Sequence, residues 1–188
     1  MAPKVATGDA AAFMALVERS NEAARLLKAS KLREAEALLR DVLERKPAAG
    51  FDEVSVALTQ SELGGVLRRL GELDEALALL SAALEVRDRA DERAGVAIAL
   101  RDGNLTREEV AKVYEARGDC ATALELRQPG TRICGNEACE ALDYEDEKKL
   151  HACSRCKCVF YCGKSCQRQD WKNRHKPLCR PVETATAS

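Results

Sequence analysis

Residues 134–179 read CGNEACEALDYEDEKKLHACSRCKCVFYCGKSCQRQDWKNRHKPLC, and this stretch holds eight of the nine cysteines of the chain. Candidate metal ligands fall in it as four pairs: Cys134 and Cys139, Cys153 and Cys156, Cys162 and Cys166, and His175 and Cys179. Thiolate and imidazole are the ligands that zinc prefers, and a spacing of two to four residues lets a single turn supply two of them. Eight ligands predict two tetrahedral zinc sites.

The alternative is a disulfide framework, which is typical of short cysteine-rich domains in secreted proteins. Outside residues 134–179 the chain has one cysteine, Cys120, and residues 1–12 contain no apolar run of signal-peptide length. No stretch approaches the roughly 20 apolar residues of a membrane-spanning helix. We therefore expect an intracellular protein, cytoplasmic and/or nuclear, whose paired cysteines bind metal.

The first 127 residues are rich in Ala, Leu, Glu and Arg, and aromatic residues make up 4% of the chain. This composition favours packed helices over a sheet. Apolar periodicity, with breaks at Pro47, Gly71 and Gly118, predicts six helices. They cover about 10–28, 32–45, 52–70, 74–89, 94–116 and 120–126, with a possible division of the fifth at Asp102-Gly103-Asn104.

These helices repeat in pairs. The frame Leu63, Gly64, Leu67, Gly71, Ala76, Leu80 becomes Val110, Ala111, Tyr114, Gly118, Ala123, Arg127 after a shift of 47, and Glu22, Ala23, Leu26, Ser30, Ala35, Leu39 after a shift back of 41. Small residues at helix contacts and Gly or Ser at the turn are typical of stacked helical hairpins. In the second copy the frame is expected to run into a linker from Arg127 onward.

Residues 10–127 therefore resemble the tetratricopeptide repeat family, with long helices as in kinesin light-chain repeats. The resemblance implies a concave groove for a partner peptide; the alternative is a helical scaffold that only positions the cysteine-rich end. The family members that clamp the C-terminal carboxylate of chaperones carry an Asn in the first helix of each repeat. Ala24, Gly65 and Lys112 stand there instead, so no clamp is expected.

Residues between the ligands carry a second resemblance. Tyr161-Cys162, Cys166-Gln167, Trp171 and the spacing of His175 and Cys179 resemble the MYND zinc finger, with a longer first spacing and an acidic insert at 140–147. The resemblance implies interleaved sites: Cys134, Cys139, Cys162 and Cys166 bind one zinc ion, and Cys153, Cys156, His175 and Cys179 bind the other. About 45 residues are too few for a sufficient apolar core, so the module should depend on its metal.

The predicted fold class is mainly α, with a helical-repeat domain followed by a two-zinc module. The predicted boundaries are 10–127 for the repeats, 128–133 for a linker, 134–179 for the zinc finger and 180–188 for a disordered tail. Cys158 lies close enough to Cys156 to compete for the same ion, but the MYND resemblance implies a small non-ligand residue at its position. His151 is expected on the surface, and Cys120 is expected to pack within a helix, so neither is expected to bind metal.

Both predicted zinc ions can be saturated by four protein ligands, whereas catalytic zinc keeps an open position for water. MYND fingers also occur in lysine methyltransferases of the SET class, but the chain has no room for that catalytic domain and lacks its Asn-His motif. We therefore expect no enzymatic activity.

The MYND resemblance implies docking of proline-containing peptides. Gln167 and Trp171, four apart on a short helix, are the candidate peptide-binding residues, although Trp171 could equally serve as a core residue. The expected function is a protein–protein interaction adaptor in which the repeats bind a second partner. The alternative is a transcriptional co-regulator that contacts nucleic acid, since residues 153–180 carry eight Lys or Arg against one acid, Asp170.

Overall fold

The computed structural model describes residues 7–95, 103–129, 131–139 and 150–181. The fold is mainly helical, as predicted, and a two-stranded antiparallel sheet lies in the cysteine-rich end. In chain order the elements are α1 (Thr7–Lys28), α2 (Leu32–Arg45), α3 (Glu53–Leu70), α4 (Leu73–Arg93), α5 (Gly103–Ala116), α6 (Cys120–Leu126), β1 (His151–Ala152), β2 (Phe160–Tyr161), α7 (Lys164–Asp170), a π-helical turn (Trp171–His175) and α8 (Lys176–Leu178).

The six predicted helices correspond to α1–α6, and most of their ends agree within one residue. For the fifth, α5 is described from Gly103, inside the predicted break, and residues 96–102 lie outside the described residues. The acidic insert at 140–147, Gly130, the first residues of the chain and residues 182–188 of the predicted tail lie outside the described residues. Within the described ranges, no helix combines the length and the apolar character that a membrane span requires.

Three helical hairpins turn in the same way at the positions aligned by the repeat. Ser30, Gly71 and Gly118 all adopt a left-handed conformation, with φ of 59°, 86° and 85°. In each case the next N–H donates to the carbonyl five residues earlier, from Lys31 to Leu26, Glu72 to Leu67 and Asp119 to Tyr114, at 2.9 Å. This pattern satisfies carbonyls that the helix end leaves unpaired, and glycine adopts it without a steric penalty. The predicted repeat is therefore also a repeat of backbone geometry.

Most of the aligned apolar positions form the core. Their side chains are at most 4% exposed at Ala23, Ala35, Leu39, Leu63, Leu67, Ala76, Leu80, Val110, Ala111 and Ala123. Gly64 allows α3 to approach α4, because a Cβ atom at this position would lie 2.5 Å from Leu80 Cγ. The helical pairing is thus fixed by small residues facing large ones.

The chain divides into two compact units, residues 1–90 and 91–188. The first holds α1–α3 and most of α4; the second holds α5, α6 and the cysteine-rich end. The predicted end of the repeat domain at residue 127 and the predicted linker at 128–133 both fall inside the second unit. Residues 131–133 pack within the second unit: Ile133 is buried, and the Arg132 guanidinium lies 4.1 Å from the centre of the Phe160 ring.

Arg127 explains why the third hairpin belongs with the cysteine-rich end. The sequence places Arg127 at the start of a linker, but it is 2% exposed, like Leu39 and Leu80 at the aligned positions. Its guanidinium donates to both carboxylate oxygens of Glu108 on α5, at 2.8 Å each, and to the Cys158 carbonyl at 2.6 Å. The position that is leucine in the other two hairpins is here a buried arginine. Its contacts join α5 to the cysteine-rich segment.

Candidate metal centres

The first cysteine cluster consists of Cys134, Cys139, Cys162 and Cys166, whose sulfur atoms all lie within 4.8 Å of one another. Cys162 Sγ is 4.0 Å from Cys134 Sγ, 3.7 Å from Cys139 Sγ and 3.5 Å from Cys166 Sγ. Cys162 follows β2 directly and Cys166 lies in the first turn of α7. Cys134 is buried, while the other three are partly exposed. These are the four residues that the sequence assigns to one zinc ion.

A second cluster brings together Cys153, Cys156, His175 and Cys179, and all four are buried. Cys153 Sγ lies 3.9 Å from Cys179 Sγ, and Cys156 Sγ lies 3.5 Å from His175 Nε2. Cys153 and Cys156 belong to a tight turn between β1 and β2, in which Lys157 adopts a φ of 60° and donates from its N–H to the Cys153 carbonyl. His175 ends the π-helical turn, so the two ligands from this end of the chain flank α8.

Both clusters fit zinc. A tetrahedral ion with Zn–S bonds of about 2.3 Å places neighbouring sulfur atoms about 3.8 Å apart. The four sulfur–sulfur contacts given above are 3.5 to 4.0 Å long, and all ligand atoms of each cluster lie within 4.8 Å of one another. Seven thiols and one imidazole form two complete four-ligand sets, which is the donor chemistry of structural zinc. Among the described residues these two clusters are the groups that could hold a metal ion.

Comparison with known families agrees with this geometry. The sequence profile of the MYND finger matches residues 133–179. Residues 133–179 are a MYND finger. A tetratricopeptide repeat profile matches residues 55–102, which include α3 from its third residue onward and all of α4. Both resemblances and their order along the chain are confirmed.

Individual relatives share only short segments with this chain. An F-box protein of Arabidopsis thaliana is 39% identical over 54 residues, which is 29% of this chain and 14% of that protein. A SET and MYND domain-containing protein of Dictyostelium discoideum is 40% identical over 52 residues, 28% of this chain and 9% of the relative. Tudor domain-containing protein 1 of Mus musculus is 52% identical over 31 residues, 16% and 3% of the two chains. The chain thus covers less than a sixth of each of these relatives.

The remaining cysteines and His151 lie outside both ligand sets. Cys158 is fully buried, and its thiol donates a hydrogen bond to the Cys156 sulfur. That hydrogen bond and the one with His175 outweigh burial and lower the pKa of Cys156 to about 3. Cys120, the first residue of α6, is buried in the same apolar cluster, and His151 is exposed on β1. His151 therefore lies on the surface and Cys120 packs at the start of a helix, which are the predicted positions.

The candidate peptide-binding residues lie close together. Gln167 is on α7 and Trp171 begins the π-helical turn, and the Trp171 N–H donates to the Gln167 carbonyl. The Trp171 ring packs edge-on against the His175 ring, with centroids 5.7 Å apart, and contacts the buried cysteine cluster. Trp171 nevertheless keeps intermediate exposure, as does Gln167. Trp171 therefore has a core contact on one side and solvent on another.

Arg174 and Asp170 form an internal contact that the sequence analysis missed. Arg174 donates to Asp170 from Nε and Nη2, at 2.9 and 2.8 Å, and the Tyr161 hydroxyl donates to Asp170 at 2.7 Å. Burial of the hydroxyl raises the pKa of Tyr161, and the hydrogen bond to the Asp170 carboxylate raises it further. Arg174 is therefore largely buried, with 14% of its side chain exposed, whereas the other seven of the eight basic residues at 153–180 are exposed.

Glu108 and Glu115 on α5 were also missed. They are 5% and 0% exposed. Burial would raise the pKa of Glu115, but a hydrogen bond with His175 and the charges of Arg174 and Arg127 outweigh it and hold that pKa well below its usual range. A sequence signal existed: Glu108, Ala111 and Glu115 are spaced by three and four residues and hence share one helix face, and Ala111 is at a predicted core position. Two carboxylates on the same face as a core alanine indicate buried partners.

Proposed function

We propose that this protein is a non-enzymatic adaptor whose MYND finger docks a proline-containing peptide and whose helical repeats bind a second protein. The absence of catalysis is supported by the ligand sets. Each cluster offers four protein ligands, and an ion bound by all four has no open position for water or substrate. Zinc in this arrangement stabilises a surface and leaves recognition to the side chains around it.

The observation that carries the proposal is the half-buried state of Trp171. Its contact with the buried cysteine cluster holds the ring in place, so binding would cost little side-chain entropy. Flat aromatic rings are suited to proline rings in extended peptides, and the amide of Gln167, one turn earlier, can donate to a peptide carbonyl. A rigid apolar platform beside a hydrogen-bonding amide supports recognition of an extended proline-containing segment.

The helical repeats supply the second surface of the proposed adaptor. Their hairpins turn by the same left-handed geometry, and they pack through small residues such as Gly64 and Ala76. Stacked hairpins of this kind generate extended surfaces that suit peptides or helices of a partner. The partner of this region is expected to be a protein, and it is expected to bind independently of the MYND finger.

The experiment is calorimetric titration of the full chain with a panel of proline-containing peptides and with the same peptides carrying alanine at each proline. Trp171→Ala should weaken binding by about 30-fold, as expected for an interface residue worth about 2 kcal/mol. Lys172→Ala, at an exposed neighbouring position, is the matched control and should bind with nearly unchanged affinity. Zinc content and helical signal must be unchanged in both variants. A folded Trp171→Ala chain with two zinc ions and undiminished affinity would refute the docking role.

A second candidate function, contact with nucleic acid, is favoured by one observation. Seven Lys or Arg side chains in residues 153–180 are exposed, at positions 155, 157, 164, 168, 172, 176 and 180. Titration with duplex DNA over a salt series distinguishes the two functions. Binding that falls steeply with salt and shows no sequence preference would be non-specific attraction to phosphates. Sequence-selective binding that persists at physiological salt would favour the co-regulator over the adaptor.

A further inference from the structure

The second metal cluster has a carboxylate neighbour that lies outside the MYND finger. Glu115 is in the last turn of α5, and its side chain is fully buried. Glu115 Oε1 lies 2.7 Å from His175 Nδ1, although the two residues are 60 positions apart. A buried carboxylate at hydrogen-bonding distance from a metal-ligating histidine can fix the orientation of its ring.

The other ring nitrogen of His175 faces the metal cluster. Nε2 lies 3.5 Å from Cys156 Sγ, so it is the nitrogen that can complete the four-ligand set. A neutral imidazole carries one N–H, and a carboxylate that accepts a hydrogen bond from Nδ1 keeps the proton there. The lone pair of Nε2 is then free for metal. Such second contacts fix both the tautomer and the ring orientation of histidine ligands in other metalloproteins.

Two arginines hold Glu115 in this orientation. Arg127 Nη2 lies 3.3 Å from one carboxylate oxygen of Glu115, and Arg174 Nη1 lies 2.9 Å from the other. Arg127 is itself fixed by Glu108, and Arg174 by Asp170. Because each arginine has a second anchor, both guanidinium groups stay in place. Rotation of the Glu115 carboxylate away from His175 would break its contacts with both of them.

We propose that Glu115 is a positioning residue of the second zinc site, so that the functional zinc module of this protein begins in α5. The MYND finger alone, residues 133–179, lacks this carboxylate. Zinc affinity at Cys153, Cys156, His175 and Cys179 then depends on the hairpin α5–α6, whereas the all-cysteine cluster has no histidine for Glu115 to orient. The two sites of one finger therefore differ in their dependence on the helical region.

Glu108 provides a matched control for this proposal. It lies on the same helix, is 5% exposed and forms a two-oxygen contact with Arg127. A substitution there removes a buried carboxylate from the same arginine, but leaves the His175 contact in place. A loss of zinc affinity that is specific to Glu115 is therefore separable from general damage to the buried charges.

The experiment measures zinc affinity of the full chain by chelator competition for the wild type, Glu115→Gln, Glu115→Ala and Glu108→Gln. Removal of an outer contact to a ligand typically lowers metal affinity roughly 10–100-fold, and we expect a loss in this range for one of two zinc ions in Glu115→Ala. Glu115→Gln should lose less, because its amide oxygen can still accept from Nδ1. Glu108→Gln should lose least. Equal losses in Glu115→Ala and Glu108→Gln would overturn the proposal.

A measurement on the wild type decides the matter where a variant fails to fold. Nitrogen-15 NMR of the chain loaded with cadmium-113 reports which imidazole nitrogen of His175 binds metal, and only His151 must be distinguished from it. The proposal requires cadmium coupling to Nε2 and a slowly exchanging proton on Nδ1. Coupling to Nδ1, or rapid exchange of that proton with solvent, would overturn it.

Discussion

In residues 1–90 the fully buried side chains are mainly alanine, leucine and valine, whereas in residues 91–188 cysteine, glutamate, arginine and histidine are buried beside them. In the first unit the long helices α1–α4 cover one another with apolar surface and leave most ion pairs exposed. The second unit has shorter elements and closes around two metal clusters and a set of buried charges. The same helical hairpin is thus stabilised by apolar packing in one unit and by polar contacts in the other.

The hairpin α5–α6 combines both kinds of stabilisation. It keeps the left-handed turn at Gly118 and the buried Ala111 and Ala123, but Arg127 replaces the leucine found at the equivalent places. A charged residue at a core position is stable only where opposite charges and hydrogen-bond acceptors surround it. Glu108, Glu115 and the Cys158 carbonyl meet that need. Arg127 therefore connects a repeat hairpin to the cysteine-rich segment.

Zinc removal should produce the largest difference in stability between the two units. Structural zinc supplies roughly 10–16 kcal/mol of apparent binding free energy in zinc-finger peptides at neutral pH, and the first unit has no comparable dependence. We expect a chelator to abolish hydrogen-exchange protection in β2 and α7 and to lower it in α5 and α6, while α2 and α3 stay protected. Trp171 is the single tryptophan, so its fluorescence should report the loss. Zinc added back should restore both signals. Equal loss of protection in α3 and α7 would contradict the comparison.

The second largest difference in the free energy of unfolding is expected between a buried and an exposed charged contact. Arg127→Met leaves two buried carboxylates without their common partner and should lower the free energy of unfolding by roughly 3–5 kcal/mol. Arg40 on α2 bonds both oxygens of Glu75, at 2.6 and 2.9 Å, yet both side chains are more than 40% exposed. Arg40→Ala should therefore cost at most about 1 kcal/mol.

Urea unfolding measures both substitutions. Trp171 fluorescence follows the second unit and far-ultraviolet circular dichroism follows the whole chain. The contrast between buried and exposed charges fails if Arg40→Ala proves as costly as Arg127→Met.

The smallest difference in stability is expected between two glycines whose backbone is approached closely by a neighbouring side chain. A Cβ atom at Gly64 would lie 2.5 Å from Leu80 Cγ, and one at Gly135 would lie 2.4 Å from Val159 Cγ1. Overpacking costs roughly 1–3 kcal/mol, but alanine regains about 1 kcal/mol of helix propensity at Gly64 and none at Gly135, which is outside any helix. Gly135→Ala should therefore be the more destabilising in urea unfolding.

Two further variants test this steric reading. Gly163→Ala is the control, since its backbone is extended and nothing lies within 4 Å of the added Cβ; its stability should match the wild type. Adding Leu80→Ala to Gly64→Ala should cost less than the two single changes together, because the shortened side chain makes room. Strict additivity would show that the two residues do not meet as described.

Local patterns allowed most of the helices and the ligand pairs to be predicted. Helix ends depend on breaks such as Gly71 and Gly118, and a pair such as Cys153 and Cys156 reaches one ion because the two residues share a turn. The interleaving of the four pairs required the MYND resemblance, because spacing alone does not state which pairs meet. The burial of Arg127 could not be predicted, because its charge partner Glu108 lies 19 positions away in the sequence.

The sequence by itself determined the helical hairpins, the repeat of their turns and the donor chemistry of two zinc sites, since each depends on residues a few positions apart. The tertiary structure alone decided that Glu115 meets His175, that Arg127 is buried and that Arg174 faces the interior. Those contacts join residues up to 60 positions apart. A glutamate or an arginine carries no sign of its partner until the chain has brought the opposite charge beside it in a place that excludes water.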